Sequence, residues 1–219
     1  MLPTLIFDYD GTIHDTMKIY EPAVRKTCSW LTEKKEVDPA RVSTLTTARI
    51  SSWLGMNSKE MWNDFLPELP EALKEQASAM VGDFMAQQVK AHQAVWYPKI
   101  REVLNTLKSR GYAMVILSNC KTSYAKVHWQ EFDLGQWFSA FYDCETYHFA
   151  PKTEIIWEVK KEFPGPFVVI GDRSSDLACA KESQSYFIGC SYGFGAEGEL
   201  READELAAEP ADILKGRLS

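Results

Sequence analysis

Apolar residues in this chain gather into two kinds of pattern. Leu5-Ile6-Phe7, Ala113-Met114-Val115-Ile116-Leu117 and Phe167-Val168-Val169-Ile170 are short and uninterrupted, as strands buried on both faces require. Tyr186 to Gly189 has similar β character. Ile100, Val103, Leu104 and Leu107 instead keep helical spacing, in a segment that opens after Pro98 and stops at Gly111, which predicts a crossover helix. Strands alternating with helices predict an α/β core built on a parallel sheet. From about Met17 to about Ala94 the pattern is helical, with turn signals at Asp38-Pro39, Gly55-Met56-Asn57 and Leu66-Pro67. Such a segment is too long for a crossover between the first two strands. It predicts a second, smaller helical domain over the sheet edge, with joints near Asp15 to Met17 and Val95 to Pro98. The expected division is 1–16 with 97–219 as the core and 17–96 as a helical cap. The acidic stretch from Glu197 to Glu209 reads as a solvated helix.

Polar groups collect where the strands run out. Asp8-Tyr9-Asp10-Gly11-Thr12 follows the first run, Ser118-Asn119 the second and Gly171-Asp172 the third, and open α/β sheets bind ligands at the carboxyl ends of their strands. Residues two apart in a strand share a face and lie roughly 7 Å apart. Asp8 and Asp10 can therefore point into one cavity while Tyr9 turns away, and Gly11 lets the backbone turn sharply. Asp-Gly is also a common turn pair, and Asp172 and Asp176 suit the start of a helix near Ser174. Neither pair decides alone; acids and Ser118 recurring at the ends of separate apolar strands favour a reactive centre.

Composition narrows the chemistry. With 219 residues, 45% hydrophobic, and 7 Trp, 11 Phe and 9 Tyr, the chain is too apolar for disorder. Its 24 Lys and Arg against 31 Asp and Glu give a net charge of -7. No basic block could follow a phosphate backbone or an anionic membrane. An acidic protein acting on anions needs local positive charge or a metal. The five cysteines, Cys28, Cys120, Cys144, Cys179 and Cys190, include no C-x-x-C pair, which suggests reduced thiols in a cytoplasm. The N-terminus reads as a strand and not as a signal peptide, and no run approaches the roughly 18 apolar residues of a membrane span. His14, His92, His128 and His148 lack partners at metal-ligand spacing and read as structural or solvated.

Asp8 with Asp10, then Ser118 with Asn119, then Lys152, then Asp172 with Asp176 in Gly171-Asp172-Arg173-Ser174-Ser175-Asp176 make four motifs in order. In that arrangement the sequence resembles the haloacid dehalogenase superfamily of phosphotransferases, over nearly the whole chain. The helical insertion between the first and second motifs and the segment Tyr192-Gly193-Phe194-Gly195 are similar to those of phosphoglycolate phosphatases and their relatives. The resemblance implies a Rossmann-like α/β core with an inserted α-helical cap, and a phosphatase acting on a small phosphorylated metabolite; an exposed cap and seven tryptophans leave room for a homodimer as well as a monomer. Asp8 would be the nucleophile, forming an aspartyl phosphate, and Asp10 would protonate the leaving oxygen and then activate water. The resemblance implies a magnesium ion held by Asp8, the Asp10 backbone carbonyl and Asp172, with Asp176 as an anchor behind them or a water-mediated ligand. Magnesium suits such an oxygen-only site. Lys152 and Ser118 would offset phosphoryl charge, with Asn119 assisting. The family commonly has proline after this lysine, whereas Thr153 follows here, so Lys121 is a second candidate.

Asp10 separates this chain from dehalogenases and phosphonate-cleaving members, which lack an acid two residues after the nucleophile. Thr12, a candidate for substrate binding, is similar to the residue of the phosphatases and stands where related sugar phosphomutases often carry valine. A sugar phosphomutase is the alternative, and a phosphate-binding module without turnover is another. Substrate choice would rest with the cap, where the turn from Thr46 to Asn57 offers Arg49, Ser52 and Trp53 to a polar or anionic group. Arg49 is the candidate for the substrate's non-transferred end; a solvated Arg49 beside a core Trp53 is the plain alternative.

Overall fold

Alternate residues of the first strand, β1 (Thr4–Phe7), feed opposite faces of one sheet. Leu5 and Phe7 join one core cluster and Ile6 the other, as the period of two in a strand dictates. The computed structural model describes residues 1–56 and 58–219; Asn57, from the turn expected at Gly55-Met56-Asn57, lies outside them. The described residues form two compact units, Met1–Asp15 with Trp96–Ser219, and Thr16–Val95.

The second of these units is helical. It contains α1 (Met17–Glu33), α2 (Pro39–Ser43), α3 (Thr47–Ser51), α4 (Ser58–Phe65) and α5 (Glu71–Lys90). The two long helices α1 and α5 pack on each other, burying Ala23, Val24 and Leu31 of one and Ala77, Val81 and Val89 of the other. Asp38, the residue before Pro39, caps α2 by accepting the Ala40 N–H at 2.8 Å, so the expected Asp38-Pro39 turn is also a helix start.

The first unit continues through α6 (Ile100–Ser109), β2 (Met114–Ser118), α7 (Thr122–Glu131), β3 (Phe141–Asp143), α8 (Lys152–Glu162), β4 (Phe167–Gly171), α9 (Ser174–Glu182), β5 (Tyr186–Cys190) and β6 (Glu205–Ala207). The strands form one parallel sheet in the order β3-β2-β1-β4-β5-β6. On one face Met114, Ile116, Val168, Ile170 and Ile188 meet Val103, Leu104 and Leu107 of α6. On the other, Val115, Leu117, Val169 and Phe187 meet Ile155, Ile156 and Val159 of α8. Helix α6 ends as its sequence predicts, with Gly111 in the left-handed region at φ +84.

Two features differ from the sequence reading. The Glu197 to Glu209 stretch is not a helix: it is a run of turns leading into β6, which pairs with β5. Leu200 and Ala207 are buried there, so the acidic composition conceals inward-facing apolar residues. The edge strands β3 and β6, at three residues each, are too short to register as apolar runs. Among the described residues no helix is long and apolar enough to cross a membrane.

Candidate active site

Strand β1 lies between β2 and β4, with Phe7 opposite Ile116 on one side and Ile170 on the other. The Asp8 N–H continues the ladder to Ile170 O at 2.8 Å. The carboxyl ends of the three central strands thus deliver Asp8, Ser118 and Asp172 to one edge of the sheet. Ser118 ends β2 and is buried, and Asn119 follows it, half-buried, its carbonyl accepting the Cys144 Sγ–H at 3.2 Å.

Asp8, Asp172 and Asp176 each present a carboxylate oxygen within 4.8 Å of the others, and all are buried. Lys152 is drawn into this group. Its ammonium, with a side chain 4% exposed, donates to Asp8 Oδ1 and to Asp176 Oδ1, both at 2.6 Å. Lys121, the second candidate, is exposed just before α7. Lys152 begins α8 directly after Pro151, where the helix dipole is unfavourable to a cation; the two carboxylates supply the compensation. Thr153 in place of the usual proline leaves this contact intact.

The remaining groups act as scaffolding for the acids. Asp176 sits in the first turn of α9 and accepts the Arg173 N–H through Oδ2 at 3.0 Å, so it caps its helix with one oxygen and holds Lys152 with the other. Asp172 accepts the Phe194 N–H through Oδ2 at 2.7 Å, and the Thr12 hydroxyl lies 3.4 Å from Oδ1. Thr12 is fully buried, so its side chain supports Asp172. Glycine is needed where backbone closes on Asp172. A Cβ at Gly11, whose φ is +90, would lie 2.2 Å from Asp172 Oδ2, and one at Gly193 would lie 2.3 Å from Asp172 Cβ.

Charge in this cluster is unbalanced. Burial, with Asp176 and Asp10 adding to it against the attraction of Lys152, pushes the Asp8 carboxyl from 3.8 to about 7. Burial and the charges of Asp8 and Asp176 likewise raise Asp172 well above the carboxylate range. Burial works against the charged form of Lys152, but Asp176 and Asp8 outweigh it and raise its pKa. A single ammonium cannot neutralise three buried carboxylates. An all-oxygen donor set with excess negative charge fits a hard divalent cation, and among the described residues the side chains of Asp8, Asp172 and Asp176 lie close enough together to hold one.

Asp10 stands apart from the lysine cluster. Its carboxylate is 24% exposed and receives the Tyr124 hydroxyl on Oδ1 at 2.6 Å, with His14 Nδ1 at 3.3 Å from the same oxygen. Tyr124 and His14 were not selected by the sequence reading. The available signal was the i,i+4 pair Tyr124 and His128 on α7, which helical spacing puts on one face. Arg49 belongs to the helical unit, where it pairs with Asp64 Oδ2 at 2.6 Å. Trp53 is buried beside it and donates its indole N–H to the same oxygen at 2.6 Å.

Residues 5–190 match the family model described as haloacid dehalogenase-like hydrolase, and the chain belongs to that family. It is 24% identical over 154 residues to the phosphoglycolate phosphatase of Vibrio vulnificus strain YJ016, covering 68% of this chain and 67% of that one. It is also 24% identical over 221 residues to the phosphoglycolate phosphatase of Colwellia psychrerythraea, covering 90% and 88%. Its fold is similar to the crystal structure of a protein described as a predicted phosphoglycolate phosphatase from Haemophilus somnus 129pt, with a TM-score of 0.82, 19% identity, and coverage of 98% and 97%.

Because Asp8 binds its proton more tightly in the folded, metal-free protein than in the unfolded chain, its ionisation removes stability as pH rises from about 4 to about 7. Asp8→Asn abolishes that loss. In metal-free thermal unfolding the variant should match the parent near pH 4 and exceed it by pH 8. A gap that does not widen across this window would contradict the assignment.

Proposed function

We propose that the chain is a magnesium-dependent phosphatase that hydrolyses a small phosphomonoester, with Asp8 as phosphoryl acceptor. The observation that carries this reading is the buried Lys152 bridge between Asp8 and Asp176 beside Asp172. It fixes a carboxylate oxygen at the carboxyl end of a parallel sheet in a region of concentrated charge. The family and the curated relatives named phosphoglycolate phosphatase support it.

Asp8 attacks phosphorus, and a new bond from its carboxylate oxygen forms as the ester bond to the alcohol breaks. Asp10 gives the departing oxygen a proton, since an alkoxide is a poor leaving group. The aspartyl phosphate then reacts with water, from which Asp10 takes a proton, and inorganic phosphate leaves with Asp8 regenerated. Lys152 orients Asp8 through Oδ1 and adds positive charge near the transferring group. Ser118 and Asn119, at the carboxyl end of the neighbouring strand β2, supply polar groups for the phosphoryl oxygens. Magnesium held by Asp8, the Asp10 carbonyl and Asp172, with Asp176 behind them, would lessen the repulsion between an anionic nucleophile and an anionic ester.

The reading further assigns Arg49 to the substrate's non-transferred end. An exposed ion pair such as Arg49 with Asp64 contributes little to stability, so exchanging Asp64 for a substrate anion costs little.

Phosphate release should be followed from a panel of phosphoglycolate, sugar phosphates, nucleotides, pyrophosphate and para-nitrophenyl phosphate, with and without magnesium. At least one member should be hydrolysed only with magnesium, and Asp8→Asn should lower the rate by about 10³-fold or more. Magnesium-dependent release that Asp8→Asn leaves unchanged would refute the nucleophile.

Arg49→Ala should raise KM for the best anionic substrate by about 10-fold with little change in kcat. Unchanged KM and kcat would remove Arg49 from the site.

A further inference from the structure

The mechanism requires Asp10 to serve two different oxygens in turn, the leaving alcohol and then water, from one orientation. A carboxylate that is 24% exposed, just beyond β1 and ahead of the turn at Gly11, does not hold one orientation by burial. What meets it is a compact group of rings with polar tips. Tyr124, in the first turn of α7, donates its hydroxyl to Asp10 Oδ1 at 2.6 Å. His14 Nδ1 is 3.3 Å from that oxygen and 3.2 Å from the Tyr124 hydroxyl. The phenol has one proton, and its shorter contact is with Asp10. His14 Nδ1 must then carry a proton to donate within the triangle, which assigns the tautomer.

The triangle is held from behind. The Tyr124 ring lies 4.1 Å, centroid to centroid, from the His128 ring, and His128 lies 4.8 Å from His14. The Tyr9 hydroxyl and His128 Nδ1 share a hydrogen bond at 2.8 Å, and burial drives the His128 pKa down to about 3, so this imidazole stays neutral. His14 is itself fixed by backbone, its carbonyl accepting the Gly11 N–H and its N–H reaching Tyr9 O, both at 2.9 Å.

We propose that Tyr124, seconded by His14, is a positioning residue for Asp10: it binds Oδ1 and fixes the rotation of the carboxylate, and with it the direction in which the proton is given and taken. This inference rests on Asp10 being the proton donor. A misplaced acid costs most where the leaving group most needs a proton. An alkoxide needs it, whereas para-nitrophenolate departs as a stable anion.

The test is kcat/KM, which reports on events through phosphoenzyme formation. It should be measured for para-nitrophenyl phosphate and for the alkyl phosphate of the panel above with the highest kcat/KM. Tyr124→Phe keeps the ring and its packing. It should lower the alkyl value by about 10-fold or more while changing the aryl value by less than about 3-fold. In an Asp10→Asn background the same change should cost nothing further, because the group it positions is gone. His14→Leu should shift the alkyl-to-aryl ratio in the same direction. An equal loss on both substrates, no loss, or full additivity with Asp10→Asn would overturn the inference. If Asp10→Asn itself leaves the alkyl-to-aryl ratio unchanged, the acid role of Asp10 fails, and the inference with it. A ratio that moves in Asp10→Asn and not in Tyr124→Phe rejects the inference alone.

Discussion

Three carboxylates share one buried ammonium at the carboxyl end of the sheet, and the architecture around them answers that constraint. Bringing like charges together out of water is unfavourable. The Lys152 bonds to Asp8 and Asp176 offset only part of the cost, which leaves the Asp8 and Asp172 carboxyls well above their ordinary range. A site of this kind, with oxygen lone pairs and too little positive charge opposite them, suits a divalent cation.

The backbone is arranged to hold these groups still. Asp8 hangs from a central strand paired on both sides, Asp176 is locked into the first turn of α9, and Lys152 starts α8. Asp172 is wrapped by the loop at Gly193 and Phe194 and by the turn at Gly11, each approaching too closely for any side chain. Helix α8 packs against α9, so apolar burial on one face of the sheet sets the distance between the lysine and its two acids. Stability and chemistry are linked here through the same pair of helices.

The fold was legible because its central strands are continuous apolar runs and its crossover helix is punctuated at both ends. The edge strands β3 and β6 were not, since three residues carry no periodicity. Glu197 to Glu209 was misread as a helix because its charge is conspicuous and its inward residues, Leu200 and Ala207, are sparse. Among the site candidates, Asp8, Asp172 and Asp176 stood out by their positions at strand ends, and the structure gathers them. Sequence alone left Lys152 and Lys121 both open, because nothing local reveals which lysine is turned inward. The Thr12 hydroxyl, a candidate for substrate contact, lies 3.4 Å from Asp172 Oδ1, a neighbour 160 residues away that no local pattern reveals. Tyr124 escaped notice and His14 was read as structural or solvated because their meeting at Asp10 joins residues 110 apart, and an isolated His or Tyr carries no sign of such a partner.

The charge imbalance is tested most directly by calorimetric titration of the metal-free protein with magnesium near pH 7, repeated in buffers of different ionisation enthalpy. Binding should release protons from the crowded carboxyls, and Asp172→Asn should weaken binding by about 10-fold or more. Binding without proton release, or magnesium affinity unchanged in Asp172→Asn, would contradict an acid cluster that holds its protons for want of a cation.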